Sequence, residues 1–174
     1  MKKHTLILSL MFSVMLSSPS NAEGLICKFT GWNCSVNFKD LVRRDGLFFK
    51  KRTDNPYTGK STGDEQGSLK DGKREGLWSS YYDEGQLSSK GNYKNGYSDG
   101  PWFYYHSNGQ LSSKGNYKNG YSDGPWFHYY SNGQLQIKGN YKDGKKEGPW
   151  VYYGFDGTVD EKRTGNYKNG VKVK

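Results

Sequence analysis

Gln86 to Phe103 reads QLSSKGNYKNGYSDGPWF, and Gln110 to Phe127 repeats it without a change over 18 residues. The same register extends outward in both directions. Gly76-Leu77-Trp78, Gly100-Pro101-Trp102, Gly124-Pro125-Trp126 and Gly148-Pro149-Trp150 recur every 24 residues. Self-similarity at such a period is the mark of an array of stacked units, because each unit is too small to bury its own apolar face. A unique active site is not written in identical copies.

The unit from Leu87 to Tyr105 reads as a β-hairpin. In Leu87-Ser88-Ser89-Lys90-Gly91-Asn92-Tyr93-Lys94 the alternation places Leu87, Ser89, Gly91 and Tyr93 on one face, with Ser88, Lys90, Asn92 and Lys94 on the other. Asn95-Gly96 follows, a pair that tolerates the positive backbone angles of a tight hairpin. Asp99-Gly100 gives a second turn signal, and Pro101 to His106 forms the return strand, closed by Ser107-Asn108-Gly109. A Gly or Pro every few residues and the absence of a 3.6-residue apolar period leave no room for helices. The fold class is therefore all-β, an elongated antiparallel array of hairpins with a 24-residue period and no significant helix after the N-terminal leader.

Columns fix the repeat. Trp78, Trp102, Trp126 and Trp150 form one, Tyr93, Tyr117, Tyr141 and Tyr167 another, and Gly91, Gly115 and Gly139 a third. Glycine weakens a strand unless something packs closely against it, so the third column is expected to make room for an aromatic ring of a neighbouring strand. Tyr81, Tyr105, Tyr129 and Tyr153 stand three residues after the Trp column. On a straight strand the two columns point opposite ways, which requires either two covered faces or a bulge.

Composition supports a thin aromatic core. Beyond residue 22 the chain has 16 Leu, Ile and Val, no Met, and 27 aromatic residues. Burial must come from rings, each carrying a large area. Lys2-Lys3, the apolar run Thr5 to Leu16 and the small residues up to Ala22 have the form of a secretory signal peptide, too short to span a bilayer. Cleavage is expected after Ala22, giving a periplasmic or secreted protein. Loss of Lys2 and Lys3 leaves 24 basic against 17 acidic side chains, a net charge of +7 that favours anionic partners. Cys27 and Cys34 would meet an oxidising compartment, where a disulfide around Trp32 is expected. Two cysteines without nearby histidines do not make a zinc site.

The division that follows is 1–22 signal peptide, 23–42 N-terminal segment, 43–72 a worn capping repeat, and 73–174 the hairpin repeats. Terminal units of arrays depart from consensus because they cap an open sheet edge.

No catalytic, cofactor or metal constellation emerges. His106 stands where Tyr82 and Tyr130 stand, and His128 where Tyr104 and Tyr152 stand, so each reads as a Tyr replaced by another flat polar ring. Glu75, Asp99, Asp123 and Glu147 each precede a glycine, which turn chemistry explains. The lysines are more suggestive: Lys90, Lys114 and Lys138 form one column, Lys94, Lys118 and Lys142 another. With two strands per repeat they recur about every 10 Å. This basic ladder, with rings such as Tyr104, His128 and Tyr152, makes a candidate binding face.

Gly-Asn-Tyr-Lys-Asn-Gly, then Gly-Pro-Trp-x-x-Tyr, then Asn-Gly-Gln-Leu resembles the bacterial variant of the MORN repeat, a family that includes YwqK-type antitoxins. The resemblance runs from about Leu41 to Lys174. It implies a narrow sheet of successive hairpins that serves as a binding or scaffolding surface. The expected role is a non-catalytic protein-interaction scaffold in the cell envelope. The alternatives are a binder of anionic lipid headgroups or acidic polysaccharide, and an antitoxin or immunity-like neutraliser of a partner protein. Nucleic acid is not an expected ligand outside the cytoplasm.

Overall fold

The computed structural model describes residues 35–173. The expected signal peptide, residues 1–22, and the expected disulfide between Cys27 and Cys34 lie outside the described residues. Fifteen strands follow in order, with a single 3-10 turn at Phe38–Asp40 and no α-helix among the described residues. They are β1 Ser35–Asn37, β2 Leu41–Arg44, β3 Leu47–Lys50, β4 Gly59–Thr62, β5 Glu65–Lys70, β6 Lys73–Tyr81, β7 Leu87–Lys94 and β8 Tyr97–Ser98. Then come β9 Gly100–Tyr105, β10 Leu111–Lys118, β11 Tyr121–Tyr129, β12 Leu135–Lys142, β13 Lys145–Tyr152, β14 Gly165–Lys168 and β15 Val171–Lys172. From β4 onward each strand pairs with the next, β8 being a short lead-in beside β7. The all-β hairpin array expected from the period is what the chain forms.

Turn chemistry sets this path. At Asn95-Gly96 both residues take positive φ, 52° and 85°, as a two-residue hairpin with the twist of its strands requires. The Asp-Gly signal acts differently. Tyr121 to Tyr129 runs as one strand through Asp123-Gly124, and the register with β10 slips there, Gly115 facing Trp126 while Tyr117 faces Ser122. Asp99-Gly100 and its equivalents are thus bulges within a strand, not turns before one.

A second bulge settles the Trp and Tyr columns. Ser113 faces Tyr104 and Leu111 faces Tyr105, so Ser112 is an extra residue on β10. Trp102 and Tyr105 do face opposite ways, and the bulge turns Leu111 over to follow Tyr105. Leu87 and Leu135 pair with Tyr81 and Tyr129 in the same manner. The leucine column therefore sits on the face opposite Tyr93, where strict alternation would have kept the two together.

Rings fill the other face. Trp78, Trp102, Trp126 and Trp150 are only 1–4% exposed. Trp102 meets Tyr93 and Tyr117 edge-on at 5.1 and 6.1 Å, and the pattern continues through Trp126 and Tyr141 to Trp150. At about 200 Å² per ring and about 25 cal/mol/Å², each Trp contributes about 5 kcal/mol before costs, an upper bound. The glycine column makes this burial possible. Gly67, Gly91, Gly115 and Gly139 lie flat under Trp78, Trp102, Trp126 and Trp150.

The first end is closed by a small mixed core. Leu41, Tyr57, Leu69 and Trp78 pack with Val36, Phe38, Phe48 and Tyr93, and the β2–β3 hairpin bonds onto the array through Phe48 N to Gly72 O at 2.8 Å.

Candidate binding face

The two faces of the sheet carry different chemistry. On one, here the lysine face, the register runs Ser79, Lys90, Phe103, Lys114, Phe127, Lys138, Val151 straight across seven strands. From Lys90 onward lysine and an apolar side chain alternate, because the lysines come from the outgoing strand of each hairpin and Phe103, Phe127 and Val151 from the return strand. Each ammonium leans over a ring: Lys90 Nζ lies 5.6 Å from Phe103 and 5.9 Å from Tyr105, Lys114 5.2 Å from Phe127, and Lys138 5.8 Å from Tyr153. Pairs of this kind on an exposed face are worth about 0.5–1 kcal/mol each, and they hold the long stems down over the rings.

Pro and Phe ridges divide this face into furrows. One of about 450 Å³ runs between Leu77 and the Pro101–Phe103 ridge, floored by Lys90, Gly91 and Asn92. The next, of about 180 Å³, lies between Pro101–Phe103 and Pro125–Phe127 over Lys114, Gly115 and Asn116. Leu77 is 82% exposed at the mouth of the first. Lys94 and Lys118 pair with the exposed Tyr97 and Tyr121, and Lys142 pairs with Lys145, along the margin of the face at the hairpin turns.

The structure splits the candidate set. Lys90, Lys94, Lys114, Lys118, Lys138 and Lys142 share the lysine face, but Tyr104, His128 and Tyr152 belong to the tryptophan face. Tyr104 stacks on Trp102 at 5.8 Å and His128 on Trp126 at 5.9 Å, and Tyr152 is buried beside Trp150. The physical reason is parity: Tyr104 stands two residues after Trp102 on one strand and must share its face. The rings that accompany the lysines are Phe103, Phe127, Tyr105 and Tyr153. Their sequence signal was their odd spacing from Trp in the return strand.

Burial has electrostatic consequences on the tryptophan face. The Tyr104 hydroxyl shares a 3.1 Å hydrogen bond with that of Tyr117, and burial first, then this bond, hold the Tyr104 phenol well above its ordinary range. His128 is held below the usual imidazole value by burial and, secondarily, by the charge of Lys146.

The other polar columns stitch one repeat to the next. Glu75, Asp99, Asp123 and Glu147 accept a hydrogen bond from the backbone N–H of Asn95, Asn119, Asp143 and Asn169, at 2.7, 3.3, 3.3 and 3.0 Å. Each acid reaches the turn of the following hairpin and not its own backbone. Tyr82 and Tyr130 donate to the carbonyls of Tyr105 and Tyr153 at 2.6 and 2.8 Å, and His106 Nε2 bonds that of Tyr129 at 3.0 Å. His106 thus does the work of the tyrosine it replaces.

Residues 74–95, 98–119 and 122–143 each match the family described as MORN repeat variant. No curated protein matches the chain. Three consecutive MORN repeat variants occupy the middle of the sheet, a repeat type associated with binding and interaction.

Proposed function

We propose that this chain is an exported, non-catalytic scaffold whose lysine face docks a protein partner presenting an acidic and apolar stripe. The observation that carries the reading is the unbroken cross-strand ladder Lys90, Phe103, Lys114, Phe127, Lys138 beside Pro-walled furrows. Lysines about 10 Å apart steer an anionic chain into place, and the furrows take its apolar side chains. The form of the segment from Lys2 to Ala22 supports export to the periplasm or beyond, and a mature N-terminus at Glu23, read by mass spectrometry of the exported protein, tests that. Neutralising a toxin partner in the envelope is one form such docking takes.

Crosslinking from the native envelope tests the docking. Substituting Lys90, Lys114 and Lys138 together by Glu is expected to abolish capture of the partner while the fold persists. Undiminished capture overturns the reading.

The evenly spaced, exposed ammoniums also suit a second ligand, anionic lipid headgroups or acidic polysaccharide. Retention on anionic vesicles that falls steeply between low and physiological salt, and vanishes in the triple reversal, supports it. Retention indifferent to salt removes it.

A further inference from the structure

The two furrows of the lysine face are lined by the same positions of the repeat, 24 residues apart. They differ along one wall alone, where Leu77 and Ser79 stand in the first furrow and Pro101 and Phe103 in the second. The facing Pro–Phe wall and the lysine, glycine and asparagine of the floor are the same in both. Yet the first holds about 450 Å³ and the second about 180 Å³. The array thus carries its own control: where the wall lacks a ring, the space over the lysine is open.

Ser79 is the small polar member of a column whose later members are Phe103, Phe127 and Val151. It flanks Lys90 on one side and Phe103 does so on the other, just as Phe103 and Phe127 flank Lys114. Lys114 therefore has a ring on either side in its row, whereas Lys90 has only Phe103, 5.6 Å from its ammonium. No carboxylate lines either furrow. Lys90 and Pro101 are exposed, and Leu77 stands in solvent at the mouth. The first furrow falls within the range of about 300–1,000 Å³ typical of binding pockets, and the second falls below it.

We infer, on the basis of the docking role proposed for the lysine face, that the furrow over Lys90 is its anchor pocket and takes one aromatic side chain, next in sequence to an Asp or Glu, from the partner protein. The guest ring takes the place that Phe103 fills one repeat later, between Leu77 and the Pro101–Phe103 wall. It offers the Lys90 ammonium a second ring face, and the adjoining carboxylate meets the uncompensated positive charge of the ladder. A ring seated in a pocket is the kind of contact on which the energy of an interface concentrates. The furrow over Lys114 has no such room, because Phe103 of the chain itself stands there.

The probe is a capped peptide with one Phe between Asp and Glu residues, titrated at low salt into the isotope-labelled protein, with the amide signals of Ser79, Lys90 and Gly91 as reporters. Saturable shifts are expected at these amides, and binding at least tenfold weaker when the Phe of the peptide is Gly. Ser79→Phe restores the ring of the later copies, so it should hold or raise the thermal midpoint while weakening the peptide at least tenfold. Ser79→Ala, which leaves the furrow open, should bind like the unaltered chain. Absence of saturable shifts, equal binding of the two peptides, undiminished binding to Ser79→Phe, or an equal loss in Ser79→Ala overturns the anchor. Should Ser79→Phe fail to fold, the comparison of the two peptides on the unaltered chain still decides. Capture of the native partner separates the anchor from the docking face. Loss both in the reversal of Lys90, Lys114 and Lys138 and in Ser79→Phe supports the two together. Loss in the reversal with undiminished capture by Ser79→Phe overturns the anchor and leaves the docking face standing.

Discussion

Gly91 and Trp102 are in direct contact across paired strands: a Cβ built on Gly91 would fall 2.1 Å from Cδ2 of the indole. The ring cannot retreat, since Tyr93 and Tyr117 hold its two flanks. Gly91→Ala is therefore expected to cost at least about 3 kcal/mol, the upper part of the overpacking range. Because neighbouring repeats stabilise each other, the loss should spread to the adjoining copies and lower cooperativity. Urea unfolding followed by tryptophan fluorescence checks both; an Ala variant unfolding at the original midpoint would show the contact to be slack.

Glu75 bonds the backbone N–H of Asn95 in the next hairpin turn. Glu75→Ala is expected to destabilise by about 1 kcal/mol, reduced from the charged-bond range because the pair is exposed. Glu84→Ala, on an exposed turn, should stay within about 0.5 kcal/mol of the unaltered chain. The thermal midpoints of the two variants make the comparison.

His128 is neutral in the fold to a lower pH than in the unfolded chain, chiefly through burial and then through Lys146. Trp126 on its own strand, Ser113 and Ile137 on its neighbours and Lys146 on β13 surround or act on it, and none of them offers an acid. The unfolded chain then takes up the proton first, so stability falls as pH drops below about 6.5. His128→Tyr, which restores the ring found at Tyr104 and Tyr152, should flatten the loss between pH 7 and pH 5. Unfolding free energies at the two pH values for both proteins decide it.

Tyr104 behaves in the opposite sense. Its raised phenol contributes stability that is complete below the ordinary tyrosine value near pH 10 and is lost as the solution becomes more alkaline. Tyr104→Phe removes the hydroxyl pair with Tyr117 and is expected to cost about 0.5–1.5 kcal/mol at neutral pH. It should also reduce the alkaline loss, read from unfolding curves at pH 8 and pH 11.

The hairpin at Asn95-Gly96 was legible because few dipeptides accept two positive φ values in succession. The Gly91 column was legible because glycine inside a strand needs a packing reason, and Trp102 supplies it. Asp99-Gly100 misled, since a positive-φ glycine serves a bulge as well as a turn, and only the pairing partner distinguishes them. The same blindness put Leu87 beside Tyr93 and grouped Tyr104, His128 and Tyr152 with the lysines.

From its sequence alone this protein is an all-β array of 24-residue hairpins with tryptophan, tyrosine and glycine in fixed columns, because turn chemistry and alternation act between residues close along the chain. Which columns share a face was decided by the tertiary structure. One extra residue at Ser112 turns Leu111 over to the face opposite Tyr117, and that register is settled only when two strands pair and the indoles find their glycines.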